Sequence, residues 1–181
     1  MERTRLVFSG SGGQGLVTAA IILAEAAIVH DGLNAVQTQS YGPAARGGAT
    51  RADVIISNAR INYPMVVQPN ILVCLTQEAY NRYAATIRPG GLLMTDTRYV
   101  KIERKVDAQQ RELPIYQTIM EKIGNPAVFN IAVLGALLGL RPLVSSASVM
   151  AAMGKRLPPA MSDINRQALQ TGLAMTGTQQ G

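Results

Sequence analysis

The feature that most constrains this chain is the stretch Leu6-Val7-Phe8-Ser9-Gly10-Ser11-Gly12-Gly13-Gln14-Gly15-Leu16. A short apolar run stops at glycines, and an Ala/Ile/Leu pattern with helical spacing follows. That order is strand, tight turn, helix. The glycines leave the turn nearly bare of side chains, so its backbone N–H groups can approach a ligand closely. The first turn of the following helix adds unpaired donors and partial positive charge, which together suit an anion such as a phosphate. Gly10, Ser11, Gly12, Gly13, Gln14 and Gly15 are therefore candidate binding residues. The competing reading is that the glycines serve only close packing of helix on strand.

Gly10-x-Gly12-x-x-Gly15 matches the dinucleotide fingerprint and sits between a strand and a helix, as that motif requires. An NAD site also needs an acid at the end of the second strand for the ribose hydroxyls. Here that strand ends Gln37-Thr38-Gln39-Ser40, which argues against NAD. A P-loop is excluded, because no Gly-Lys-Ser/Thr closes the turn.

The rest of the chain reads as alternating strands and helices. Strands are expected at Arg5–Ser9, Leu33–Ser40, Thr50–Ser57, Ile71–Thr76 and Leu92–Thr95, with Arg60–Tyr63 as a short hairpin partner and Leu113–Tyr116 as a last strand. The first two strands and the helix Gly15–His30 make a βαβ unit. Helices are expected at Gln77 to about Ile87, Gln117–Ile123, Phe129–Leu140, Ser146–Leu157 and Ser162 to about Met175, with Ser162 as an N-cap. Residues 97–111 read as an exposed excursion, and the tail from Thr176 as frayed. The expected fold is α/β: one domain over residues 1–181, a Rossmann-like, mostly parallel sheet flanked by helices, with a helical C-terminal third.

Composition narrows the function classes. With one cysteine, Cys74, and one histidine, His30, the chain cannot build a disulfide, a thiolate zinc site or an iron–sulfur cluster by itself. Aromatic residues make up 4% and Trp is absent, so aliphatic side chains must form the core. The net charge of +6 suits an acidic partner or a polyphosphate ligand. Its cations are scattered and no basic run alternates with aromatics, which argues against nucleic acid. The start lacks a secretion-signal pattern, and the apolar stretch Ala127–Leu140 is too short to span a bilayer, so the expected location is cytoplasmic, with no membrane partner.

A second glycine loop, Tyr41-Gly42-Pro43-Ala44-Ala45-Arg46-Gly47-Gly48-Ala49, follows the second strand. In a parallel sheet both loops lie at one edge, where ligands bind. Arg46 offers a planar cation with five donors, and Gly47 and Gly48 flank it with open backbone. Ser40, Tyr41, Gly42, Arg46, Gly47 and Gly48 join the candidate binding residues, against the bland reading of a solvated loop charge with local turn contacts. Cys74 reads as a core thiol, Asp96 as a cleft group or a turn cap, and Asn130 as the partner of a buried backbone group. No catalytic residue is expected. No Ser/His/Asp, Cys/His or paired-carboxylate set can be assembled.

Three stretches together carry a family resemblance: Gly10-Ser11-Gly12-Gly13-Gln14-Gly15, then Gln39 to Ala49, then Val54-Ile55-Ile56-Ser57. The chain resembles the gamma subunit of the 2-oxoacid:ferredoxin oxidoreductases. Gln37–Pro43, Tyr63-Pro64 and Leu75–Tyr80 most resemble the 2-oxoglutarate branch, with Asn70 where that branch usually carries Asp. The resemblance implies a subunit of an enzyme that converts 2-oxoglutarate, coenzyme A and oxidised ferredoxin to succinyl-CoA, carbon dioxide and reduced ferredoxin. It places thiamine diphosphate, magnesium and iron–sulfur clusters in the alpha, beta and delta partners, the last ferredoxin-like. This chain is left with assembly and a possible contact with coenzyme A. The alternatives are the equivalent subunit for pyruvate, branched-chain 2-oxoacids or indolepyruvate, and a non-catalytic nucleotide-binding or scaffold module. An isolated chain is expected to pair with itself through the surface its partners cover.

Overall fold

The structure, a computed structural model, describes residues 3–40 and 49–177. Six strands form one sheet: β1 (Thr4–Gly10), β2 (Asn34–Ser40), β3 (Thr50–Ser57), β4 (Ile71–Cys74), β5 (Gly91–Asp96) and β6 (Ala108–Leu113), in the order β2-β3-β1-β4-β5-β6. The pairs β1/β4, β4/β5 and β5/β6 are parallel, whereas β3 runs antiparallel to both β1 and β2. The sheet is mostly parallel, with one reversed strand.

That strand corrects the simple βαβ expectation. β1 and β2 point the same way but are not neighbours, because β3 is inserted between them. Only residues 41–49 separate β2 from β3, too few for the crossover a parallel neighbour needs, so the chain turns back. β2 is consequently an edge strand and partly exposed, not a buried one.

The sheet is coated unequally. On one face, Leu6, Phe8, Val54, Val73 and Met94 pack under α1 (Leu16–Glu25), α3 (Ile115–Lys122), α4 (Phe129–Leu140), α5 (Ser146–Arg156) and α6 (Ser162–Thr176). On the other, Val7, Ile55, Leu72 and Leu93 pack against Ala79 and Tyr80 of α2 (Gln77–Tyr83) and against Val66 and Val100 from irregular segments. α4 is apolar all round and buried almost throughout, as expected of a helix clamped between a sheet and an outer helix. α6 lies on it through Gly135, Gly139 and Gly172, where a Cβ on any of the three would run into backbone or the Thr176 side chain. No helix of the described residues is long and apolar enough to cross a membrane.

Several local expectations are revised. Arg60–Tyr63 forms no strand. That segment is fastened by Arg3, which donates to the Arg60 carbonyl at 3.1 Å, and the chain beyond it by the Arg51 guanidinium, which pairs with Asp53 and donates to the Val66 carbonyl at 2.6 Å. The last strand is Ala108–Leu113 rather than Leu113–Tyr116, because Pro114 has no N–H for a ladder and precedes α3. Part of the expected excursion over 97–111 is therefore sheet. The first helix changes to a wider π turn over Ala26–His30 before Asp31. Ser162 caps nothing, since a 3-10 turn over Pro159–Met161 leads into α6. Thr176 closes α6, buried, with its hydroxyl donating to the Ala136 carbonyl.

Candidate functional site

The carboxyl ends of β1, β2, β4, β5 and β6 lie along one rim, and β3 begins there: Gly10 pairs with Thr50, Ser40 with Arg51, Cys74 with Thr95, and Asp96 with Leu113. From β1 the chain passes through α1 to β2 on one side. From β4 it passes through α2 to β5 on the other, with α1 and α2 on opposite faces. The gap between β1 and β4 is thus the switch point of the sheet, where open α/β folds hold ligands.

The glycine turn occupies that gap. Gln14 latches it: its Oε1 accepts from Ser11 N at 2.8 Å, and its Nε2 donates across the gap to the Leu75 carbonyl at 3.0 Å. Leu75 N in turn donates to the Ser9 carbonyl at 2.8 Å. A Cβ on Gly10 would run into Gln14 Oε1 and come within 2.8 Å of Leu16 Cδ1, so both side chains would have to shift and the Gln14 latch with them. Gly15 caps α1 with φ +71°, and its carbonyl accepts from Asn130 Nδ2 at 3.1 Å. Asn130 is therefore the partner of a backbone group, as its place on an apolar helix implied, though of a partly buried one. Ser11, Gly12 and Gly13 are exposed, and a Cβ on Gly12 or Gly13 would meet nothing within 4 Å. α1 carries neither a side-chain cap nor an acid in its first turn. The turn is thus anchored at Gly10, Gln14 and Gly15 and open at Gly12 and Gly13.

Ser40 is exposed at the same rim, two strand spacings from Gly10, about 10 Å. Tyr41, Gly42, Arg46, Gly47 and Gly48 lie outside the described residues, but Ser40 and Ala49, which flank them, stand beside the start of β3. The sequence-derived candidates Gly10–Gly15 and Ser40 are thus brought to one edge. Gln14 differs from the rest, because both ends of its amide are already engaged inside the protein.

The other candidates resolve into structural roles. Cys74 is fully buried, and burial pushes its thiol up to about 12. Asp96 faces inward: its carboxylate accepts from Arg98 N and Tyr116 N, each at 2.8 Å, tying the end of β5 to the start of α3. Burial raises its pKa above the ordinary 3.8, opposed by those donors and by Arg98. Of the two roles read for Asp96, the turn cap is the one it plays. Among the described residues, no group of three or more His, Cys, Asp or Glu is placed to hold a metal ion.

One rim residue escaped the sequence reading. Arg98 is exposed just past β5, its guanidinium 4.5 Å from the Tyr116 ring centroid, in a cluster with Tyr99 and Phe129. Its signal was its position two residues beyond a strand-ending Asp96, which scattered charge elsewhere obscured.

Comparison with known proteins agrees with this geometry. Residues 5–175 match the family model described as pyruvate ferredoxin/flavodoxin oxidoreductase. The 2-oxoglutarate synthase subunit KorC of Methanocaldococcus jannaschii is 41% identical, over 94% of this chain and 92% of that protein. The keto/oxoacid ferredoxin oxidoreductase gamma subunit of Geobacter sulfurreducens superposes with a TM-score of 0.89 at 39% identity, covering 97% of both chains. The 2-oxoglutarate:ferredoxin oxidoreductase of Magnetococcus marinus, solved with 2-oxoglutarate, coenzyme A and succinyl-CoA bound, has the same fold. Its TM-score is 0.85 at 20% identity, over 97% of this chain and 31% of that one.

Proposed function

The chain belongs to the pyruvate ferredoxin/flavodoxin oxidoreductase family, and on that premise we propose that it is the gamma subunit of a 2-oxoglutarate:ferredoxin oxidoreductase. The whole reaction joins 2-oxoglutarate and coenzyme A, releases carbon dioxide, and passes two electrons to ferredoxin as succinyl-CoA forms. Thiamine diphosphate and iron–sulfur clusters, held by alpha, beta and delta partners, supply the carbanion and one-electron chemistry. The observation that carries the substrate class is the near end-to-end identity of 41% with a 2-oxoglutarate synthase subunit.

This chain's part is to present a binding rim to coenzyme A and to the partners. The N–H groups around Gly12 and Gly13 and the start of α1, which has no side-chain cap, form a donor-rich wall at this rim, and Arg46 belongs to the segment that joins β2 to β3. The Gln14 latch holds that wall before ligand arrives, which lowers the ordering cost of binding. No side chain of this chain is assigned a bond-making step. In this reading residues 1–181 act as one unit, in the cytoplasm.

The test is co-expression with the partner subunits, followed by ferredoxin reduction in the purified complex. Reduction should require 2-oxoglutarate, coenzyme A and this chain together. A complex that runs equally fast without the chain, or that prefers pyruvate, would overturn the reading.

A further inference from the structure

The rim opposite the glycine turn has a different chemistry. A cavity of about 640 Å³ opens at the amino ends of β1, β4 and β5, and Arg3, Arg5, Arg88 and Arg141 line it. Among the described residues no carboxylate pairs with any of these four guanidiniums. The ion pairs found are Arg51–Asp53 and Arg156–Glu25. Arg3 and Arg141 reach neutral acceptors, Arg3 the Arg60 carbonyl and Arg141 the Leu140 carbonyl and Gln109 Oε1. The floor is rigid. Arg5 N donates to Asn70 Oδ1 at 2.9 Å, Asn70 N to the Arg5 carbonyl at 2.8 Å, and Leu92 N to the Asn70 carbonyl at 2.9 Å.

Arg5 and Arg88 also line a second cavity of about 340 Å³, whose remaining wall includes Tyr63, Met65 and Val67. These three are 59%, 57% and 68% exposed, more than any other large apolar side chain of the described residues. Unpaired arginines beside exposed Tyr, Met and Val have the composition of a binding hot spot rather than of an ordinary solvated surface. The two cavities share a wall, so one occupant can use both.

Resting on the reading of the chain as one subunit of an oxidoreductase, we infer that this rim docks a partner subunit through an acidic segment flanked by apolar side chains. Carboxylates of that segment meet Arg5 and Arg88, and its apolar residues cover Tyr63, Met65 and Val67. Charge complementarity selects the partner, because the charged residues among those lining the two cavities are all arginines. The chain is then held at both ends of its sheet, with ligand chemistry at one rim and anchorage at the other.

The experiment uses the complex assembled from co-expressed subunits. A photo-crosslinking residue at position 67 should join an Asp/Glu-containing segment of a partner subunit, whereas the same residue at the exposed position 155 should not. Arg88→Glu and Val67→Asp alter exposed side chains, so the folded chain should keep its Tm. Their retention in the complex should fall by about thirty-fold at low salt, and the deficit should shrink as salt screens the introduced repulsion, while Lys155→Glu assembles normally. A wild-type complex that is active while both variants assemble unchanged overturns the docking surface and leaves the gamma-subunit reading standing. Cross-links to a second copy of this chain also overturn the proposal. So does saturable binding of inorganic tripolyphosphate at Arg88 without any cross-link. A wild-type chain that never joins those subunits overturns both readings.

Discussion

Replacing Gly15 by Ala puts the junction of turn and helix under direct test. Gly15 has φ +71°, and an L residue there costs about 1–2 kcal/mol. The new Cβ would lie 2.6 Å from Asn130 Nδ2 and 2.8 Å from its Cγ, so the amide must move and its hydrogen bond to the Gly15 carbonyl is lost. That bond contributes about 0.5–1.5 kcal/mol. The sum is roughly 2–3 kcal/mol, which in a chain of 181 residues lowers Tm by about 4–12 °C. Calorimetry on Gly15→Ala, Asn130→Ala and the double variant separates the two contributions. In the Asn130→Ala background the amide is absent, only a 3.1 Å contact with the remaining Cβ persists, and the second substitution should cost mainly the left-handed backbone. The double variant should therefore lose about 1 kcal/mol less than the two singles added. Strict additivity, or a Tm drop below about 2 °C for Gly15→Ala, would refute the proposed linkage between turn and α4.

Three further outcomes follow from the packing around single residues. Cys74, with its thiol pushed up to about 12 by burial, should resist iodoacetamide at pH 8.5 in the native protein and react promptly in denaturant; rapid native alkylation would contradict its core position. Asp31 accepts from Ser145 N and from the Ser148 hydroxyl; despite partial desolvation, these bonds hold its carboxyl below the ordinary 3.8. Its contribution to stability is therefore complete above pH 3.8 and is lost as pH falls through the folded value. An NMR titration should show the midpoint rising in Ser148→Ala, and an unmoved midpoint would dismiss the Ser148 contribution. Gly172→Ala drives a Cβ into the Ala132 carbonyl and to 2.7 Å from Ala136 N, so thermal unfolding should reveal a loss of about 1–3 kcal/mol; a neutral effect would mean that α4 and α6 are less tightly seated.

The parts of the fold visible in the sequence are those whose local chemistry leaves no alternative. The apolar run at Leu6–Phe8, the glycines after it and the helical spacing beyond them give strand, turn and helix in that order. Phe129–Leu140 is read end to end because every residue is apolar or small except Asn130, whose amide has a backbone to satisfy. The direction of β3 is harder, since an apolar strand has the same pattern whichever way it runs. The short interval between Ser40 and Thr50 is the clue, and it concerns chain length, not residue type. β6 escapes notice because Gln109, Gln110, Arg111 and Glu112 form an edge strand whose polar side chains resemble a loop. Asn70 and Gln14 show another limit. Each side chain bonds a backbone group distant in sequence, Arg5 N and the Leu75 carbonyl, and no periodicity reports such pairs.

The binding role of the glycine turn is tested most directly by the coenzyme A affinity of the assembled oxidoreductase carrying Gly12→Glu. A Cβ at Gly12 meets nothing within 4 Å and its backbone is not left-handed, so the fold should be unaffected. The new carboxylate would stand where the polyphosphate is proposed to lie. Coenzyme A should bind at least about tenfold more weakly, equivalent to roughly 1.4 kcal/mol, with the KM for 2-oxoglutarate unchanged. Coenzyme A binding at wild-type strength in an intact complex would contradict the assignment of this rim.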